Sequence, residues 1–203
     1  MKFKLLISFF VCSTVLFSQE SKLKFHSISI APLNYYFDSD LDGAVISIDI
    51  ALKKGKHVYK VFGLAGGETQ MITIGSATVT RSFFEIDVMY GREFKANKWL
   101  YFDFYGGLGY FERIVSTPER IPGSGTGGLF QTYDYTYNID RTSTIGFPIQ
   151  SKIRYKVGNR FSLGLQLHAN FNSIKSSYSI GPFVQWYFGK MKKTKPKAES
   201  NSN

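Results

Sequence analysis

The sequence predicts an all-β protein, an eight-stranded antiparallel up-and-down β-barrel of the transmembrane type. Three observations predict it. The chain opens with an export signal, its segments alternate apolar and polar residues at a period of two, and its connections alternate between short and long. The alternation is plainest at Phe161–Asn172, FSLGLQLHANFN. There Phe161, Leu163, Leu165, Leu167, Ala169 and Phe171 share one parity, and Ser162, Gly164, Gln166, His168, Asn170 and Asn172 the other. Successive strand side chains point to opposite faces, so such a ribbon has one apolar side and one small, polar side.

Residues 1–18 read as the signal. Lys2 and Lys4 precede an uncharged apolar run from Leu5 to Phe17, and Ser18 supplies a small exit residue. That run is shorter than the about 17–25 apolar residues a spanning helix needs. Cys12 lies within it, so the mature chain has no cysteine, which excludes disulfides and cysteine-ligated metals. The remaining residues are enough for one domain, taken as a barrel over 19–189, followed by a basic disordered tail over 190–203. Of the formal charge of +10, two units leave with the signal and four belong to the tail, which leaves +4 on the barrel. That is no nucleic-acid footprint.

Eight strands are expected at about 25–37, 44–53, 58–66, 81–92, 99–114, 143–157, 160–171 and 177–189, with Pro32 interrupting the first. The connections near 54–57, 92–98 and 157–160 are short. Those near 38–43, 67–80, 115–142 and 172–176 are mostly longer, as expected of periplasmic turns set against external loops. Periodicity alone does not say which face points out, since a soluble lipocalin-like carrier has the same alternation reversed. Three features favour apolar-outward. The polar faces are small and amide-rich (Gly107, Gly109, Gly164, Ser162, Gln166, Gln185), as a narrow lumen requires. The apolar faces, such as Leu100, Phe102, Phe104, Leu108 and Tyr110, carry no charge at mid-strand. Tyr90, Trp99, Tyr110, Tyr155, Tyr178 and Trp186 gather at strand ends, where interfacial girdles lie.

Ser179-Ile180-Gly181-Pro182-Phe183-Val184-Gln185-Trp186, extended by Phe188, resembles the terminal-strand signal of bacterial outer-membrane barrels. The stretch 24–189 as a whole resembles the eight-stranded OmpA/OmpX type, and the signal with its FSQ exit resembles Bacteroidota-type export signals. The resemblance implies a place in the cell outer membrane, contact with outer-membrane lipid and lipopolysaccharide, and reading of the last strand by the barrel-assembly machinery. The chain departs from that pattern by continuing 15 residues past Phe188.

Inward parity collects Asp49, Glu85, Asp87 and Asp103 with Lys60, Lys152, Arg154 and Lys156. A lumen this narrow is filled by side chains, so these charges are expected to pair as a plug rather than line a channel. Counting from the short turns puts Asp87 near Asp103 and Asp103 near Arg154. His168 faces the lumen beside Gln166 and Asn170, with no serine at matching depth on its own strand, while His26 and His57 lie at the periplasmic end. No catalytic set assembles, and no catalytic, cofactor or metal residues are assigned. Asp38-Ser39-Asp40-Leu41-Asp42-Gly43 has the D-x-D-x-D-G spacing of a calcium loop, with Asp49 at the twelfth position. Its flanks are strands, so an acidic hairpin turn is the preferred reading, and whether Asp38, Asp40 and Asp42 bind a divalent cation stays open. Gly123–Gly128 lacks the Lys-Ser/Thr of a phosphate loop. The 115–142 loop, with Tyr133, Tyr135 and Tyr137, is the candidate contact for an extracellular partner. The expected role is a non-enzymatic barrel with a closed lumen that presents external loops for surface binding or envelope integrity. A lipid-modifying barrel enzyme and the lipocalin-like carrier are the alternatives.

Overall fold

Eight strands close into one ring in the computed structural model, which describes residues 23–38, 42–67, 79–121 and 135–188. They are β1 (Lys24–Phe37), β2 (Asp42–Lys54), β3 (His57–Gly67), β4 (Thr80–Lys95), β5 (Leu100–Arg120), β6 (Tyr135–Val157), β7 (Phe161–Asn172) and β8 (Ser177–Tyr187). Each pairs antiparallel with its sequence neighbours, and β1 closes on β8. The expected signal (1–18), Asp40, Gly123–Gly128, Tyr133 and the 190–203 tail lie outside the described residues.

The turns at one end are tight. Gly55 and Gly158 open the β2–β3 and β6–β7 turns at φ 62° and 69°, a backbone conformation that costs a glycine little. Asn97 Oδ1 accepts the backbone N–H groups of Trp99 and Leu100, which fixes the β4–β5 turn. Pro32 sits where the β1 register slips, between Ala31 and Asn34, and a residue without an N–H is tolerated at such a bulge.

Apolar side chains face outward. Ile48, Val88, Leu108, Ile149, Leu165 and Val184 are all exposed on the lateral surface, whereas Ser162, Gln166, His168 and Gln185 are buried inside. A lipocalin-like barrel has the reverse arrangement. Aromatic contacts ring both ends of this apolar belt. Phe25 meets Phe188 with ring centroids 4.9 Å apart, and Trp99 stacks on Tyr155 at 6.3 Å, at the short-turn end. Tyr178 packs on Phe37 at 5.4 Å at the other. From Phe161 to Phe171 on β7, a rise of about 3.3 Å per residue at a tilt of about 40° spans roughly 25 Å, the height of a lipid-facing band.

Two expectations are corrected. The segment 115–142 is not one long loop. β5 and β6 stay paired far beyond the ring, from Val115↔Asp140 to Arg120↔Tyr135. Its Thr/Tyr-rich composition suits paired strands as well as loops, and the Gly run that marked it as a loop covers only its middle. Asp87 is not beside Asp103 either. Asp87 opposes Gly109, whereas Asp103 opposes Glu93, about 20 Å further along β5 at strand rise. The short β4–β5 turn closes at Lys95↔Tyr101, and that register carries Asp87 toward the loop end.

Candidate functional site

The lumen is built by alternate residues of all eight strands and falls into layers along the barrel axis. At the short-turn end Arg154 of β6 is the hub. Its Nε donates to Asp103 Oδ2 at 2.6 Å, and its Nη2 to Asp103 Oδ1 at 3.0 Å and to Glu93 Oε1 at 2.6 Å. Its Nη1 donates to the Tyr187 hydroxyl, and the Tyr101 ring lies 4.7 Å from the guanidinium carbon. Glu93 also accepts from His26 Nε2 at 2.8 Å and from Lys53. The paired Asp103 and Arg154 are therefore brought together as their parity predicts. Glu93 escaped the sequence reading because the fourth strand was ended at residue 92.

The middle layer joins Lys152 to Asp49 and Ser29. Lys152 Nζ donates to Ser29 Oγ at 2.8 Å, Ser29 in turn donates to Asp49 at 2.7 Å, and the ammonium lies 4.4 Å from the Phe183 ring centre. Lys60 donates to Gln150 and sits 3.6 Å over the Tyr105 ring. Lys156, the last of the inward basic residues, lies at the short-turn end with its ammonium 5.7 Å from the Tyr187 ring centre.

Toward the loop end the chemistry changes. His168 Nε2 lies 2.9 Å from Glu85 Oε1 and 3.7 Å from Asp87 Oδ2, and Asn170 Nδ2 donates to Glu85 Oε1 at 2.6 Å. The Phe62 ring packs 4.6 Å from the imidazole. Asp87 is 0% exposed, yet no described donor reaches either of its oxygens. Glu85, Asp87 and His168 each offer a ligand atom, all within 4.8 Å of one another. Above them Tyr36 stacks on Phe83 at 4.0 Å and Phe83 on Phe111 at 6.0 Å, an aromatic layer facing the loops. Phe62, Phe83 and Phe111 point inward although the sequence reading expected polar inward faces. β3 is apolar on both sides, so its parity carries no signal.

His168 has a serine in register after all, Ser179 on the neighbouring β8. The Ser179 hydroxyl has no hydrogen-bond partner among the described residues, and both side chains are buried from lipid and solvent. That pair has neither the contact nor the access that nucleophilic chemistry needs. The acid and the serine sit on strands other than His168's own, so a search along one strand misses both. His57 bonds the Tyr90 hydroxyl at the short-turn end.

The calcium-loop reading is not assembled by the described residues. Asp49 is buried against Lys152, about 23 Å of strand from Asp42, so it supplies no twelfth ligand. Asp42 accepts from the Tyr35 hydroxyl at 2.7 Å, and Asp38 accepts from Tyr36 at 3.1 Å with Lys175 3.4 Å away.

Beyond the ring, the paired ends of β5 and β6 have no other described strand beside them. β4 stops pairing with β5 at Thr80↔Ser116, and β7 stops pairing with β6 at Asn172↔Gly146. Residues 135–145 thus run about 35 Å past the last β7 partner. Tyr137 and Ile139 on them are 53% and 56% exposed.

No known family profile and no curated protein sequence matches the chain. Solved structures do. Neisserial surface protein A superposes with a TM-score of 0.57 at 13% identity, over 81% of this chain and 97% of that one. Ail, the attachment invasion locus protein of Yersinia pestis, gives 0.53 at 10% identity, over 81% and 98%. Ail in complex with the heparin analogue sucrose octasulfate gives 0.51 at 10%. The shared property is the fold, an eight-stranded outer-membrane β-barrel of the OmpA/OmpX-like type. That fold, together with the outward apolar belt, places the chain in the outer membrane.

Proposed function

We propose that this outer-membrane barrel is a non-enzymatic surface protein, which uses a closed lumen as a rigid support and the β5–β6 hairpin as its contact with an extracellular partner. The observation that carries the reading is the paired β5–β6 ribbon running beyond the last described neighbouring strands, with exposed aromatic and aliphatic residues. Ordering the ribbon in advance lowers the entropic cost of binding. With the short turns, the start of β1 and the end of β8 on the periplasmic side, the hairpin projects outside, among lipopolysaccharide head groups. Ser177–Tyr187 is the strand the barrel-assembly machinery would read. The charge-paired layers support a structural lumen rather than a conducting one, and the burial of His168 and Ser179 without a hydrogen bond between them supports a non-enzymatic role. Ail has been solved with a sulfated heparin analogue, which makes sulfated polyanions the first probe for this chain.

The test replaces residues 117–138 with a short Gly/Ser linker, which keeps Ser116↔Ile139 and every ring pairing. The variant is expected to insert into outer membranes and to keep heat-modifiable migration on gels, and to lose binding of cells to heparin-coated or host-cell surfaces. Unchanged surface binding in the variant would move recognition away from the hairpin. Large single-channel conductance of the intact protein in planar bilayers would refute the closed lumen.

A further inference from the structure

We propose that Glu85, Asp87 and His168 form a divalent metal site inside the barrel, one that takes a zinc-like transition cation through two carboxylates and an imidazole. The three ligand atoms converge within 4.8 Å from opposite walls, Glu85 and Asp87 on β4 and His168 on β7. One nitrogen and two oxygen donors suit a first-row divalent ion, and three protein ligands leave a position for water.

A second observation, the hydrogen bonding of these carboxylates, points to a ligand in the site. Asp87 is wholly buried and both its oxygens lack a donor, as does Glu85 Oε2. Buried carboxylates in a folded protein are normally satisfied, and an orphaned pair marks a missing positive partner. The nearest lysine layer supplies no hydrogen bond to it, because Lys152 is held by Asp49 and Lys60, which acts on Asp87 only through space, donates to Gln150. Space has also been kept for the Asp87 head group. A Cβ at Gly109, its partner on β5, would lie 1.8 Å from Asp87 Oδ1. The surroundings hold the ligands in place, with Asn170 donating to Glu85 and the Phe62 ring packed against the imidazole. Tyr36, Phe83 and Phe111 cover the cluster on the loop side, so loading accompanies barrel closure. A proton shared by the two carboxylates is the competing occupant, and it predicts no metal.

The experiment denatures the mature chain, strips it with chelator and refolds it in detergent with zinc chloride alone, then counts metal by mass spectrometry after gel filtration. The wild-type chain is expected to retain one zinc per barrel and to unfold at a higher temperature than its zinc-free counterpart. Asp87→Asn and His168→Gln should lose at least nine-tenths of that zinc while migrating as folded barrels, and a His26→Gln/His57→Gln double variant should keep it. No retained zinc in the wild type, or equal retention in Asp87→Asn, overturns the site. Should the single variants fail to fold, refolding the wild type with cobalt decides instead. A visible absorption band of protein-coordinated cobalt that zinc abolishes supports the site, and the spectrum of free aqueous cobalt overturns it.

Discussion

The two ends of the lumen use the same residue types to opposite effect. At the short-turn end two carboxylates, Asp103 and Glu93, share one guanidinium and gather Lys53 and His26 as well, so each carboxylate is paired. At the loop end two carboxylates, Glu85 and Asp87, share one imidazole, and Asp87 is left without a donor. A buried charge that is fully paired holds its neighbours in one geometry, whereas an under-paired one invites a ligand. The difference implies that the barrel is anchored at its short-turn end and adjustable at the end that carries the hairpin.

The largest break in this comparison is Arg154→Met. It removes the hydrogen-bonded partner of Asp103 and leaves only the more distant Lys152 and Lys60 charges, and breaking a buried pair on one side costs about 3–5 kcal/mol. Urea titration of the refolded barrel in lipid vesicles should show that loss, and Arg154→Met/Asp103→Leu should recover part of it. Additive losses would mean that the two residues do not interact.

A second, somewhat smaller effect tests the wall that separates the two environments. Leu165 faces outward at mid-strand on β7, and its neighbour Gln166 faces inward, donating to Ser47. Leu165→Arg should cost about 2–4 kcal/mol, the penalty for a cation on the lipid face near the bilayer midplane. Leu165→Ala should cost clearly less by the same titration. Equal losses from the two would remove lipid from the account of this surface.

How far these differences are legible in the sequence depends on which strands keep alternation. Phe161–Asn172 alternates cleanly and Ser177–Tyr187 does so apart from the inward Phe183 and Tyr187, so their faces and the girdle residues Trp186 and Tyr178 follow from parity, as do the inward Asp103 on β5 and Arg154 on β6. β3 does not alternate, and Phe62 and Leu64 therefore enter the lumen unannounced. Register across the barrel is harder still. A shift of a few residues in where a strand ends moves Asp87 away from Asp103, and it hides Glu93 altogether. The Glu85–Asp87–His168 cluster joins strands that are not hydrogen-bonded neighbours, so no local pattern in the chain reports it. The 115–142 segment was misjudged for a different reason: its glycines and tyrosines read as loop, while the pairing of Val115–Arg120 with Tyr135–Asp140 depends on residues compatible with either state.

The smallest effect is the one whose sign separates the two ends. Asp103→Asn and Asp87→Asn make the same chemical change, a buried carboxylate turned into an amide of equal size. At Asp103 the change weakens two charge-assisted hydrogen bonds from Arg154, and such bonds contribute about 1.5–3 kcal/mol each. Asp103→Asn should therefore destabilise the barrel clearly. At Asp87 no hydrogen bond from a nitrogen or hydroxyl donor is lost, and the crowding of two carboxyl groups around His168 is relieved. In chelated buffer Asp87→Asn should leave stability unchanged or raise it by on the order of 1 kcal/mol, the scale on which contacting groups couple. Zinc should reverse the order, because only the wild-type chain then has a ligand set to bind it, and binding to the folded state adds stability in proportion to the logarithm of free metal. Measuring both variants in the same vesicles, with and without zinc, gives four midpoints. Losses of equal size from Asp87→Asn and Asp103→Asn in chelated buffer would show that the two ends are held alike, and the contrast between anchored and adjustable ends would fail.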